Sequence, residues 1–289
     1  MRLRDLTCAT ALAASLFAPI GALAFDDAKY PDLKGQWGRV AVPSGFYRGV
    51  QYDPHKQAGP WQQAPLTPEY QAIFESNLAD QALGGQAGDP TVKCLPPGMP
   101  RIMGPYGEME IVVLPSTTYI LIDHIHDSRR IYTDGRDFPA NMGDDPQFGG
   151  YSVGRWVDED GDGRYDTLVV ETRGLKGPRT YEMTGIPLHS DNQTIIRERI
   201  YLDRSDRNIL HDEIATIDHA LTRPWIVTKD YRRTPSKQPI WWAETVCAED
   251  NAHLAIGDEI YFLSGDGFLM PAKKGQAPPD LRYFNRRQK

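Results

Sequence analysis

The chain has 289 residues, a formal net charge of −7 and three cysteines. This length allows one large domain or two small ones, and it is sufficient for a sizeable hydrophobic core. The acidic balance and the lack of a basic stripe with interleaved aromatic residues argue against nucleic-acid binding.

The N-terminus has the features of a secretory signal peptide. Arg2 and Arg4 precede a short apolar run, and the sequence Ala-Leu-Ala at residues 22–24 is a small-x-small cleavage site. The apolar run is too short to span a bilayer, and no later stretch reaches eighteen apolar residues. We therefore predict a signal peptide over residues 1–24 with cleavage near Ala24. The mature protein is expected to be periplasmic or secreted, with no membrane span.

Residues 25–109 are predicted to form an irregular segment, rich in Pro and Gly, that packs as a lid on the rest of the chain. One short helix is predicted inside it. Thr67 is a suitable N-cap, Pro68 fits the first turn, and Glu69 adds an acidic group near the helix N-terminus. The run CLPPGMPRIMGPYG, residues 94–107, has too many prolines for a regular strand or helix.

From Glu110 onward, short β-type runs separated by turns dominate the sequence. EIVVL and TYILIDHIH form a predicted hairpin, and SVGRWVDEDGDGRYDTLVVETRGL is two strands around a Gly/Asp turn; TIIRERIYLD, ILHDEIATID, WIVTKDYRR and IWWAETVC follow. Strands without alternating helices predict an all-β fold, a single antiparallel β-barrel over residues 110–289 with an irregular tail. Charges on both faces of TIIRERIYLD favour a partly polar barrel interior, since a dry sandwich core would have to desolvate them.

Seven short runs give the chain a resemblance to a widespread family of exported bacterial proteins: PDLKGQW, CLPPGMPRIM, RRIYTDGRDFP, GGYSVGRW, DTLVVET, LTRPW and CAED. The resemblance covers nearly the whole mature chain. It implies export and no particular activity. Many members have RWEGDTLVV where this chain has RWVDEDGDGRYDTLVV, so the Asp-rich turn is an insertion. Gly35-x-Trp37 is similar to the entry strand of lipocalin-type barrels, which implies a barrel that is lipocalin-like.

A polar strip over residues 121–136, LIDHIHDSRRIYTDGR, supplies the predicted catalytic groups. If residues 118–127 form one strand, His124 and His126 share a face and point into the barrel about 7 Å apart. Arg130 and Tyr132 also share a face, and a short turn would place them opposite the histidines as stabilisers of developing charge. Arg197 is the third predicted stabiliser. The alternative is an outward polar face held by ion pairs.

The turn DEDGDGRYD reproduces part of an EF-type calcium loop. Its four candidate ligands are Asp158, Asp160, Asp162 and Asp166. Three of them alternate ahead of a glycine, as in positions 1, 3 and 5 of that loop, but the bidentate Glu of position 12 is absent. The pattern predicts either a structural Ca²⁺ site or a solvated hairpin turn.

Removal of the signal peptide would leave two cysteines, Cys94 and Cys247. In an exported chain such a pair predicts one disulfide. Two buried free thiols are the alternative.

Two classes of function remain open at this point. The first is an exported β-barrel enzyme, of the lyase or isomerase type, that acts on a small, largely apolar or aromatic molecule. It would use general acid–base chemistry and require no cofactor. The second is a periplasmic small-molecule binding or carrier protein without catalysis. An enzyme needs ionisable groups with shifted pKa values inside the barrel, whereas a carrier of apolar ligands needs mainly hydrophobic walls. The polar density of the strands favours the enzyme.

Overall fold

A closed barrel of nine strands forms the main body of the protein in a computed structural model. The structure describes residues 25–40, 64–83, 87–105, 107–123, 127–182, 185–235, 242, 253–256, 259–263 and 269–271. In chain order the barrel strands are β1 (Gln36–Arg39), β2 (Glu108–Val113), β3 (Thr117–Ile122), β4 (Asp127–Tyr132), β5 (Tyr151–Val157), β6 (Thr167–Arg173), β7 (Ile195–Leu202), β8 (Ile209–Ile217) and β9 (Trp225–Arg233). The prediction of an all-β, single-barrel fold is confirmed.

Two features of the barrel differ from the sequence prediction. Its first strand, β1, comes from the segment that was assigned to the lid, at the Gly35-x-Trp37 run that resembles a lipocalin entry strand, and it pairs with both β2 and β9. In addition, β4 and β5 are parallel, whereas the other neighbouring strands are antiparallel. The 18 residues between β4 and β5, 133–150, return the chain to the end at which β4 begins.

A second, smaller sheet follows the barrel in the sequence. It contains β10 (His253–Ile256), β11 (Glu259–Leu263) and β12 (Leu269–Pro271), paired antiparallel in that order. The sequence patterns did not predict these strands. The predicted strand IWWAETVC, residues 240–247, lies almost entirely outside the described residues.

Trp37 on β1 anchors the closure of the barrel. Its side chain is fully buried in the main core, and its indole N–H donates a hydrogen bond of 2.9 Å to the carbonyl of Leu33. The guanidinium of Arg233, at the end of β9, lies 4.4 Å from the centroid of the indole ring. It also donates to the carbonyls of Asp32, at 2.7 Å, and of Lys34. One aromatic side chain therefore joins the first and last barrel strands.

The predicted helix is present as α1 (Pro68–Ala82). The hydroxyl of Thr67 accepts a hydrogen bond from the backbone N–H of Tyr70, as expected of an N-cap. Phe74 is the buried residue of α1, and it packs in a second hydrophobic cluster with Tyr181 and Trp225. The helix is therefore held against the loops at the end of the barrel where β9 begins.

A short segment from Gly98 to Gly104 enters the barrel core. Met99, Ile102 and Met103 are buried in the same cluster as the inward residues of the strands. The hydroxyl of Tyr231 donates to the carbonyl of Met103, and the ammonium of Lys229 lies 3.5 Å from the carbonyl oxygen of Pro100. We refer to residues 98–104 as the plug.

Cys94 is disulfide-bonded. Because Cys247 lies outside the described residues, the pairing of these two cysteines stays a prediction. Within the described part of the chain, no helix has the length and apolar character needed to cross a membrane.

Replacing Trp37 with Ala should destabilise the protein by about 3–5 kcal/mol, since it removes a large, fully buried side chain and leaves a cavity at the barrel seam. Equilibrium urea denaturation measures this loss. The matched control is Val112→Ala on the outer face of β2, where the side chain is exposed and the expected change is within about 0.5 kcal/mol. Equal, small changes for the two variants would show that β1 does not hold the barrel closed.

Candidate functional site in the barrel interior

The polar strip that contains the predicted catalytic histidines is a hairpin, so the prediction of one strand over residues 118–127 is wrong. β3 ends at Ile122, which pairs with Asp127 at the start of β4. His124 and His126 lie between these two strands in the sequence, outside the described residues. Their catalytic role stays a prediction.

The three predicted charge stabilisers lie on the outer surface of the barrel, which corrects the expectation that they face inward. Arg130 is exposed and pairs in register with Tyr119, with its guanidinium carbon 5.4 Å from the Tyr119 ring centroid. Tyr132 is half-buried on the same outer face. Arg197 is exposed and donates a hydrogen bond of 2.8 Å to Glu171. The hairpin reverses the inward and outward positions after the turn, because its register pairs Arg129, not Arg130, with an inward residue of β3.

The inward residue of β4 is Arg129, and it forms a bidentate ion pair with Glu198 on β7. One guanidinium nitrogen donates to Glu198 at 2.6 Å and the second donates to the other carboxylate oxygen. The second nitrogen also donates to Thr172, at 3.0 Å, and lies 3.4 Å from the hydroxyl of Ser152. Both charged side chains are almost inaccessible to solvent, at 2% and 0% exposure. Paired charges with further hydrogen bonds are the arrangement that makes such burial tolerable.

Four buried hydroxyl residues follow one row of hydrogen-bonded register partners across β3 to β8. The row contains Thr118, Ser152, Thr172 and Thr216, with Ile131 and Ile196 between them. Ser152 and Thr172 bond to each other at 2.7 Å. Among the described residues, the hydroxyls of Thr118 and Thr216 have no hydrogen-bond partner. Buried hydroxyls without a partner are unusual and fit a site that holds a polar molecule.

Asp212 on β8 is a buried carboxyl group with a strongly perturbed pKa. Its side chain is fully buried, and neither carboxyl oxygen has a hydrogen-bond partner in the described part of the chain. Burial raises the pKa of Asp212 well above its usual value, and the negative charge of Glu198 raises it further; the positive charges of Arg129 and Lys229 oppose this. The protonated carboxylic acid is therefore favoured at this position.

Lys229 is the direct register partner of Asp212 on the neighbouring strand β9. Its ammonium lies 3.1 Å from Glu182, and Arg39 lies 3.5 Å from the same carboxylate. Burial lowers the pKa of Lys229, and the charge of Glu182 opposes this without reversing it. Burial alone would raise the pKa of Glu182, but Lys229 and Arg39 hold it below its usual value. The interior thus contains a carboxyl group with a raised pKa, Asp212, together with two ion pairs.

Sequence reasoning missed these interior groups although the signal was present. In ILHDEIATID, Asp212 lies on the face of the strand that also carries Leu210 and Ile214, and β8 buries that face. The predicted chemistry relied on histidine, whose pKa lies nearest neutrality. His211 instead faces outward between two carboxylates, 2.7 Å from Asp230 and 3.1 Å from Asp203.

A surface cleft of about 400 Å³ lies outside the barrel, between the segment from Phe25 to Gly35 and strand β2. Its walls include Tyr30, Leu33 and Val112. Unlike the interior, it contains none of the buried side-chain polar atoms that lack a partner.

The Asp-rich turn between β5 and β6 brings three of its four predicted calcium ligands together. Carboxylate oxygens of Asp158, Asp160 and Asp166 lie within 4.8 Å of one another. Asp162 is not part of this group, and its carboxylate accepts the backbone N–H of Arg164. Asp158 itself accepts three backbone N–H groups of the turn, which the hairpin interpretation also explains. Calcium binding stays a prediction.

Comparison of the sequence with protein-family models and with curated proteins finds no match. The functional interpretation therefore depends on the geometry of the described residues.

Asp212→Asn should make the protein progressively more stable than the wild type as the pH rises above about 4. The unfolded Asp, with a pKa of about 3.9, loses its proton first, while the folded Asp212 keeps its proton until its raised pKa is reached. Wild-type stability therefore falls across this interval, by up to about 1.4 kcal/mol per pH unit, and the variant escapes the loss. Urea denaturation at several pH values measures the difference. Thr216→Val, which removes a buried hydroxyl from the same strand, should change the stability equally at each pH, and a parallel profile for Asp212→Asn would contradict the assigned pKa shift.

If the Asp-rich turn binds Ca²⁺, millimolar Ca²⁺ should raise the melting temperature by a few degrees, because a ligand that binds only the folded state stabilises it by about 1.4 kcal/mol at tenfold excess over its Kd. Asp160→Ala should abolish the shift. Asp206→Ala, in the exposed turn between β7 and β8, is the control and should retain it. The same shift in all three proteins would leave only a hairpin turn.

Proposed function

We propose that the barrel interior is a small-molecule site and that the protein is an exported enzyme that uses general acid–base chemistry of the lyase or isomerase type. The observation that carries this proposal is Asp212. It is a fully buried carboxyl group with a raised pKa, it has no hydrogen-bond partner among the described residues, and it lies beside Lys229. Carboxyl groups kept protonated by burial are characteristic of catalytic acids.

The interior supplies the groups that proton transfer requires. Asp212, as the neutral acid, can donate a proton to a substrate oxygen or carbon. Lys229 and Arg129 provide positive charge close to any negative charge that develops during the reaction, in surroundings where water is largely excluded. The unpartnered hydroxyls of Thr118 and Thr216 can orient polar atoms of the substrate. The apolar remainder of the interior, which includes Ile120 and Ile214, suits a small and largely apolar or aromatic molecule.

The alternative is a carrier that binds the same class of molecule without reacting it. A carrier of apolar ligands gains nothing from two buried ion pairs and a neutral acid, because each of these groups is costly to desolvate. The unpartnered hydroxyls fit either function. The ionisable groups therefore favour the enzyme.

The test is a search for turnover followed by one substitution. The chain without residues 1–24 is incubated in deuterated water with small aromatic and aliphatic hydroxy and oxo compounds, and NMR detects new products and deuterium incorporation. Asp212→Asn should reduce the rate by about 10²–10⁴-fold, as loss of a general acid does, with substrate affinity largely retained. Glu213→Gln is the matched control, since this neighbouring acidic residue lies on the opposite face of β8.

Three results distinguish the possibilities. Turnover that Asp212→Asn removes and Glu213→Gln spares supports the proposal. Saturable binding without turnover supports the carrier. Turnover that survives in Asp212→Asn moves the chemistry away from this residue, and the histidines at 124 and 126 are then the next residues to replace.

A further inference from the structure

His189, Asp191 and His219 lie together at the end of the barrel where β7 begins and β8 ends. One ligand atom from each of the three residues lies within 4.8 Å of the others. The Nδ1 atoms of His219 and His189 are 2.7 Å and 3.2 Å from the same carboxylate oxygen of Asp191. None of these residues is among the groups that shift the pKa of Asp212. The cluster is also separate from the Asp-rich turn.

We propose that these three residues form a site for a divalent first-row transition-metal ion, with Zn²⁺ as its simplest occupant. Two imidazoles and one carboxylate are a donor set that Zn²⁺ and Fe²⁺ sites use. Ligands at about 2.0–2.1 Å from a tetrahedral ion are about 3.3 Å apart, so the present distances of 2.7 Å and 3.2 Å need only a small expansion. The backbone N–H of Asp191, which now donates to Nδ1 of His189, would give up that bond if this nitrogen took the ion.

A buried ion pair holds the backbone of His189 and Asp191 in place and directly precedes His219, and this is the second observation that supports the site. The guanidinium of Arg179 donates to the carbonyls of His189 and Asp191. The carboxylate of Asp218 accepts the backbone N–H of His189 at 2.9 Å, lies 3.7 Å from Arg179, and belongs to the residue that precedes His219. Both Arg179 and Asp218 have fully buried side chains. Outer-shell interactions that orient the ligands are typical of metal sites in proteins.

The outer side of the cluster is open to solvent. The side chains of His189, Asp191 and His219 are 38%, 28% and 66% exposed. Three protein ligands with an open side leave coordination positions for water or for another molecule, which distinguishes such a site from a closed structural one.

Isothermal titration calorimetry of the untagged mature chain with Zn²⁺, in excess Ca²⁺ to occupy the Asp-rich turn, tests the proposal. We expect one Zn²⁺ per chain. Asp191→Ala and His219→Ala should each weaken binding by at least about 10–100-fold, the loss that removal of even an outer-shell partner causes. His211→Ala is the matched control and should bind as the wild type does, because its carboxylate neighbours Asp203 and Asp230 contact opposite ring nitrogens and cannot share one ion with it.

Co²⁺ gives a second readout that does not depend on the variants. A site of this kind should turn the hydrated Co²⁺ spectrum into the stronger visible absorption of a low-coordinate ion, and Zn²⁺ should remove that absorption. Urea denaturation midpoints show whether the variants fold. Because the side chain of His219 is largely exposed, we expect His219→Ala to fold as the wild type does. No binding to the wild type, or binding that persists in both Asp191→Ala and His219→Ala, would overturn the proposal and leave a carboxylate that bridges two imidazoles.

Discussion

The ion pair between Arg129 and Glu198 sets the electrostatics of the whole barrel interior. It joins β4 to β7 across the two intervening strands, whose hydroxyls, Ser152 and Thr172, lie against the second guanidinium nitrogen. A charge in such a place persists only when it is paired and hydrogen-bonded. Burial raises the pKa of Asp212, and the negative charge of Glu198 raises it further, so ionisation of this second carboxyl group is disfavoured.

The same constraint explains why the interior has to be closed. The attraction between these charges weakens as water enters, because water raises the local dielectric constant. A segment that fills the core therefore strengthens the ion pairs. The plug, residues 98–104, adds Met99, Ile102 and Met103 to the hydrophobic core, and it is tied to β9 through Tyr231. Asp212 is fully buried. A substrate can therefore reach the acid only when part of this closure moves, and the proposed activity requires opening and closing as well as proton transfer.

Period-two alternation in the sequence was sufficient to predict most of the barrel, and the site was harder to predict for physical reasons. β1 has only four residues, too few for alternation to identify it, and its place depends on the burial of Trp37. The turn after Ile122 has no Gly or Pro to mark it, so the strip from β3 to β4 reads as one strand. In β9, Lys229 faces inward while Ile226 is 61% exposed. The partner carboxylate of Lys229 belongs to Glu182, 47 residues earlier in the chain, and only folding brings it to 3.1 Å from the ammonium. Local hydrophobicity cannot report such a long-range pairing.

Strand β8 shows how the polar interior and the stability of the barrel are reconciled. Leu210, Ile214 and Asp212 share its inward face, and the two aliphatic side chains belong to the main hydrophobic core. Replacing the acid with a third aliphatic residue would cost no desolvation, so stability alone does not account for a carboxyl group there. An acid without a hydrogen-bond partner among the described residues, in a strand that could bury a Leu, departs from the rules that favour folding, and such departures concentrate at functional sites. The same reasoning does not apply to Arg129 and Glu198, which satisfy each other. It singles out Asp212 as the residue whose burial needs a chemical reason.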